Sequence, residues 1–150
     1  MLPGYNVRPL EMSGAIGIEQ LEKLPDFIDM RRTNAKHFES IFEGHPFVAI
    51  QKELGESSWF GFALILKPTC SISRNNLVNA LAQHQIECRP IVTGNFVKNQ
   101  KALSYFDYEV SGPLENADYI DDHGFFVGNQ QVDLTEELDY FNSILSELIG

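Results

Sequence analysis

The chain has 150 residues, 43% hydrophobic and 21% charged, with a formal net charge of −10. That length fits one domain able to bury roughly 70% of its unfolded surface, and the acidic excess excludes nucleic acid as the main partner, because phosphate binding needs a cationic face. No apolar run approaches the ~20 residues of a membrane span and the first residues lack the basic-then-apolar pattern of a secretory signal, so a cytoplasmic protein without a membrane partner is expected.

Gly4-Tyr5-Asn6-Val7-Arg8 is a turn-forming stretch that runs straight into a helical pattern over residues 10–24. It reads as the middle of a protein rather than its start, and a C-terminal piece of a larger enzyme is expected. Leu10, Gly14, Gly17, Leu21 and Leu24 fall on one stripe at three- and four-residue spacing. Two glycines inside a helix cost roughly 1 kcal/mol each relative to Ala, which predicts that another backbone comes close there. Pro25 is expected to stop this helix and to open a second one over 25–43, with Phe27, Ile28, Ala35, Phe38, Ile41 and Phe42 facing inward. Arg31 and Arg32 are expected on its solvated face.

Residues 48–52 predict a short strand and 55–58 a loop. The continuous apolar run 59–66 predicts a strand buried on both faces, with Trp59 as a core anchor. Ser73 is a good N-cap for a helix carrying Leu77, Ala80, Leu81 and, at its C-terminal end, His84. Residues 86–89 predict a strand ended by Pro90, and 91–118 a long irregular loop with short helical turns. A last strand over 123–127, a turn at Gly128-Asn129 and a helix capped by Thr135 and running to 148 complete the order. The fold class expected is α+β: a small, mainly antiparallel sheet with helices packed on one face.

Three clusters offer ligand-gripping chemistry. In Tyr5-Asn6-Val7-Arg8 an amide and a guanidinium sit where phosphate or carboxylate can be held, or the stretch is simply a turn. Glu87 and Arg89, two residues apart on a strand, share a face; they make either an exposed ion pair or a substrate clamp ahead of Gly94-Asn95-Phe96. In His123-Gly124-Phe125-Phe126-Val127-Gly128-Asn129, glycines flank an aromatic strand, which suits either a core strand or close approach of a ligand. Cys70 and Cys88 lack metal-ligand spacing and are expected as reduced thiols, and the four histidines form no zinc site, so no metal is expected. There is no phosphate loop, no nucleophile elbow and no lysine in a setting for a Schiff base.

Taken in order, Gly4-Tyr5-Asn6-Val7-Arg8 with Gly14-Ala15-Ile16-Gly17, Gln20-Leu21, Leu24-Pro25 and Arg31-Arg32 resembles the C-terminal part of the sugar aminotransferase and dehydratase family. That family has the aspartate aminotransferase fold and uses pyridoxal phosphate (PLP) or pyridoxamine phosphate (PMP). Ile86-Glu87-Cys88-Arg89-Pro90-Ile91-Val92, Gly94-Asn95-Phe96 and the 123–129 stretch are similar to the branch of nucleotide-sugar 3-dehydratases. These act on 4-keto-6-deoxyhexoses on the route to 3,6-dideoxy sugars of lipopolysaccharide.

The resemblance implies a homodimeric full-length enzyme, with a nucleotide-linked 4-keto-6-deoxyhexose as substrate. It implies that Asn6 reaches the cofactor phosphate of a neighbouring subunit with Tyr5 and Arg8 beside it. It implies that Glu87 and Arg89 border the sugar site with Asn95 nearby, and that His123 and Phe125 lie near its mouth. The residues that anchor the cofactor, His in the dehydratases and Lys in the aminotransferases, have no match here. No catalytic residue is therefore expected in this chain, and neither bound cofactor nor activity in the chain alone. A sugar aminotransferase domain, or a free-standing α+β binding or interaction module, are the other readings.

Overall fold

The computed structural model describes residues 10–91 and 94–150. One helix, α1 (Glu11–Phe42), runs unbroken through Pro25, where the sequence predicts a stop and a second start. Proline removes one backbone hydrogen bond and crowds the preceding turn, but Leu21 and Pro25 are both exposed, so water can serve the released carbonyl. The continuation is fixed by packing: Asn34, Ala35, Phe38 and Phe42 are buried one turn apart. The first half of α1 is different. Leu10, Met12, Ile16, Ile18, Leu21 and Leu24 are exposed, and a Cβ at Gly14 or Gly17 meets nothing within 4 Å. The close backbone approach predicted at those glycines is not made by any of the described residues.

The sheet has four antiparallel strands in the order β1-β2-β4-β3: β1 (Val48–Ile50), β2 (Gly61–Leu66), β3 (Cys88–Pro90) and β4 (Gly124–Gly128). The register pairs Phe62 with Val127, Leu64 with Phe125 and Cys88 with Val127. Pro90 lies within β3 instead of ending it, which an edge strand tolerates. Strand β2 alternates half-buried and buried, so the expectation of burial on both faces is corrected to one. Phe62, Leu64 and Leu66 turn towards the helices, while Gly61, Ala63 and Ile65 lie on the open face.

Helices α2 (Arg74–Gln83) and α5 (Thr135–Ile149) complete the core with α1. Leu138, Phe141, Leu145 and Ile149 are buried at helical spacing, each side chain contributing about 1.5–3 kcal/mol by leaving water. Phe38 stacks on Phe62 at 4.5 Å between ring centroids. The N-terminus of α5 takes its acceptor from Asp133, whose Oδ1 receives the Thr135 N–H and hydroxyl at 3.0 and 2.6 Å, so Thr135 is not itself the cap. The segment expected as an irregular loop carries a 3₁₀ turn (Phe96–Lys98), a short α3 (Gln100–Leu103) and a two-turn α4 (Glu115–His123). His123 thus ends a helix instead of opening the last strand. At the same end of the sheet the Tyr119 hydroxyl donates to the Leu66 carbonyl at 2.7 Å.

Candidate functional site

Arg31 and Arg32 do not form a solvated face. Arg31 donates from Nε to the Ser58 carbonyl at 2.9 Å and from Nη2 to the Trp59 carbonyl at 2.6 Å; Arg32 donates to the carbonyls of Ser57 and Glu56. Together they hold a loop in which Trp59 has φ +50°, a left-handed conformation that is an outlier for a bulky residue. Further bonds fix it: Ser57 Oγ accepts the Trp59 N–H at 2.9 Å, and Asn129 Nδ2 donates to the Trp59 carbonyl at 3.1 Å. Because the chain reverses there, the Trp59 indole enters the core as expected and Phe60 turns outward, 79% exposed.

Phe60 lies on the open face of the sheet, against Phe126 with ring centroids 5.9 Å apart. Gly61 makes this possible. A Cβ there would sit 2.7 Å from Phe126 Cδ2 and 2.9 Å from the Val127 carbonyl, so the missing side chain is the space in which the Phe126 ring lies. Across the strand pair from Phe126 stands Arg89. Its Nε and Nη2 donate to Glu87 Oε1 at 3.1 and 2.9 Å, in an exposed pair. Arg31, Phe60, Glu87, Arg89, Phe126 and Gly128 wall a groove of ≈ 390 Å³. Cys88, between the two charges, turns to the core side, where burial and then the Glu87 charge push its thiol up to about 11.

Asn95 and His123 lie at the other end of the sheet. Gly124, next to His123, pairs with Ile65, whereas Gly128 pairs with Gly61, about 13 Å away at ~3.3 Å per residue. Asn95 is buried and engaged twice: Nδ2 donates to Asp118 Oδ1 at 2.8 Å, and Oδ1 accepts the Val97 N–H at 3.0 Å. Lys98 contacts three carboxylates of α4, Asp118 and Asp121 at 3.1 Å and Asp122 at 3.4 Å. The Asn95 hydrogen bond, then Lys98, holds the Asp118 carboxyl below its usual range, and the same carboxylates raise Lys98. His123 stacks on Tyr119 at 4.3 Å between ring centroids, and its Nδ1 lies 3.1 Å from the Tyr119 carbonyl oxygen.

Of the site residues expected from the sequence, Glu87 and Arg89 come together on the groove, while Asn95 bonds to α4 and His123 is the last residue of that helix. Phe125 takes a different place: it is fully buried, facing the helices. Alternation along β4 sends Phe126 to the groove in its stead. Tyr5, Asn6 and Arg8 lie outside the described residues. The sequence did not mark Phe60 or Gly61 for a site; it placed Arg31 on a solvated face and Phe126 within the 123–129 cluster without assigning either to a groove. The period of two along 124–128 contained the signal for Phe126, while the reversal at Trp59 that exposes Phe60 has no local signature.

Residues 1–137 match the sequence model of the DegT/DnrJ/EryC1/StrS aminotransferase family. The chain is 60% identical over 147 residues to a GDP-4-keto-6-deoxy-D-mannose 3-dehydratase of Yersinia pseudotuberculosis, covering 98% of this chain and 37% of that protein. A protein of the same description from Escherichia coli O55:H7 is 57% identical over 97% of this chain. The solved Escherichia coli GDP-4-keto-6-deoxy-D-mannose-3-dehydratase with bound hydrated PLP is 58% identical and superposes with a TM-score of 0.91, over 96% of this chain and 37% of that one. An aminotransferase of Helicobacter pylori, 17% identical with a TM-score of 0.77, shares the fold. The chain therefore spans little more than a third of the length of these relatives.

Proposed function

The chain belongs to the DegT/DnrJ/EryC1/StrS aminotransferase family, and from that membership we propose that it is the small domain of a cytoplasmic, homodimeric nucleotide-sugar 3-dehydratase. The whole enzyme would use PLP or PMP to remove the 3-hydroxyl of a GDP-linked 4-keto-6-deoxyhexose in deoxysugar and lipopolysaccharide biosynthesis. The observation that carries this reading is the 57–60% identity to two GDP-4-keto-6-deoxy-D-mannose 3-dehydratases along nearly all of the chain. Three solved aminotransferases stand at 17–18%, which favours the dehydratase over the aminotransferase reading.

The apolar side chains left open on the first half of α1 and the uncovered sheet face support a domain that packs on more protein. Among the described residues nothing forms a cofactor cradle by itself. No lysine lines the groove, Arg31 is committed to two carbonyls, and Arg89 is paired with Glu87. No chemical step at the cofactor is assigned to these residues, and the chain alone is expected to be inactive and to develop no PLP absorbance band. What they supply is a shaped, partly apolar wall with one carboxylate and one guanidinium, set by the Arg31 and Asn129 bonds beneath it.

The test is a graft. Residues 10–150 replace the matching segment of the Escherichia coli dehydratase, and the same segment is placed in a sugar aminotransferase of this family. Turnover of GDP-4-keto-6-deoxymannose by the first graft, and an inactive second one, are expected. A dead dehydratase graft that is folded and binds PLP would remove the reading.

A further inference from the structure

Strand β1 is the edge of the sheet opposite β3, three strand spacings away from Glu87 and Arg89, about 14 Å at ~4.8 Å per spacing. None of the described residues pairs with its outer side, and the register fixes which groups it presents there. Val48 stands opposite Leu66, and the bond from the Lys67 N–H to the Phe47 carbonyl, 2.8 Å long, flanks that pair. Ala49, opposite Ile65, therefore directs its N–H and C=O to β2, while Val48 and Ile50 direct theirs outward. An outward row of this kind is a template for another strand, and native edges are commonly blunted by proline or charge. At the other edge β3 carries Pro90, whereas Val48–Ile50 has neither proline nor charge.

Beside this edge a groove of ≈ 490 Å³ runs between β1 and the end of α1, with Glu39, Glu43, Ile50 and Glu53 in its walls. Glu39 and Glu43 lie one turn apart, a like-charge spacing that weakens a helix. They also stand at its C-terminal end, where the macrodipole favours cations, and the last turn of α1 holds no basic residue. Among the described residues neither carboxylate forms an ion pair, and Lys67, which also borders the groove, is bound to the His45 carbonyl at 2.6 Å. Two carboxylates that oppose their own helix are stabilised by a cation arriving from outside.

We propose that the β1 edge docks an extended segment of a partner protein that bears Lys or Arg at alternate positions. The segment adds a fifth strand through the N–H and C=O of Val48 and Ile50, and its cationic side chains on the helix side meet Glu39 and Glu43. Backbone pairing gives the hold and the charges give the selection. The docking edge lies apart from the Glu87–Arg89 groove, so it stands or falls independently of the dehydratase reading.

The test uses the isotopically labelled chain and capped eight-residue peptides as probes: alternating Lys and Val, alternating Glu and Val, and the Lys–Val peptide N-methylated throughout. The readout is the amide resonances and hydrogen exchange of Val48 and Ile50. The Lys–Val peptide is expected to shift both amides saturably and to slow their exchange about tenfold, and the other two peptides to leave both unmoved. Glu39→Gln combined with Glu43→Gln should keep the thermal midpoint and weaken the Lys–Val peptide about tenfold. Unmoved amides at millimolar Lys–Val peptide, an equal response to the Glu–Val peptide, binding that survives N-methylation, or full affinity in the doubly substituted chain would each overturn the proposal.

Discussion

Asn34 on α1 donates its carboxamide nitrogen to the carboxamide oxygen of Asn129 at 3.2 Å, and both residues are buried. Asn34 also donates to the carbonyls of Gln130 and Val132 and accepts the Leu134 N–H, while Asn129 donates to the carbonyls of Arg31 and Trp59. Two side chains thus tie the 130–134 segment and the Trp59 turn to helix α1. Buried backbone groups left unpaired are costly.

Asn34→Ala strands one N–H and two carbonyls at once. A loss of roughly 3 kcal/mol is expected, equivalent to about 6–12 °C in thermal midpoint for a domain of this size. Urea titration followed by far-UV circular dichroism measures it, and a loss under about 0.5 kcal/mol, the size of an ordinary surface substitution, would show that water takes over these bonds.

Arg31→Ala releases the Ser58 and Trp59 carbonyls. Trp59 is the single tryptophan of the chain, so its emission reports the loop directly. A red shift is expected, together with about 2 kcal/mol of lost stability. An unchanged spectrum would mean that Asn129 and Ser57 suffice to hold the left-handed turn.

The glycines separate into two kinds. Gly61→Ala drives a methyl group into the Phe126 ring and the Val127 carbonyl, and should cost about 1–3 kcal/mol as an overpacked site. Gly14→Ala and Gly17→Ala meet no neighbour and should strengthen the first half of α1 by about 1 kcal/mol each. Amide hydrogen exchange along α1 distinguishes the two classes; faster exchange in the alanine variants of α1 contradicts the account.

Asp118 titrates below its ordinary 3.8 in the folded chain because Asn95 and Lys98 bind its ionised form. Its contribution is present in full above 3.8 and fades as the pH falls through the lower folded value. Acidification into that window should therefore free the 94–98 turn before the sheet, with the Val97 and Lys98 amides, both bonded to Asn95, losing protection first. In Asp118→Asn the same amides should be weakly protected at neutral pH and insensitive to acid.

Cys88, raised to about 11, carries a thiolate fraction of about one in a thousand at pH 8. Its alkylation by iodoacetamide should accelerate roughly tenfold per pH unit from 8 to 10. A rate that levels off near pH 8.5 would place the thiol in water, not against the core.

Much of the fold was legible because it is periodic. Helix α5, the capped start of α2 at Ser73, the core positions of α1 from Ala35 onward and the burial of Trp59 all follow from local spacing and turn chemistry. Several misreadings trace to contacts between residues far apart in sequence. Pro25 has the local signature of a stop, and only packing of the following turns carries the helix through. Arg31 and Arg32 look like a wet face until the 56–59 carbonyls arrive from more than twenty residues away. The continuous run 59–66 conceals a one-faced strand, because an open face that is itself apolar has the composition of a buried one. At the site, Glu87 and Arg89 were legible as a same-face pair, whereas the choice between Phe125 and Phe126 depends on which face the helices occupy.

The unbroken passage of α1 through Pro25 makes the helix a lever about 48 Å long at ~1.5 Å per residue. Its last turns are clamped to the sheet through Asn34, Phe38 and Phe42, so the free arm and the open sheet face share one frame. A body seated on residues 11–24 is thereby held at a set angle to Phe60 and Arg89, and a small rotation of the arm would be magnified at the groove.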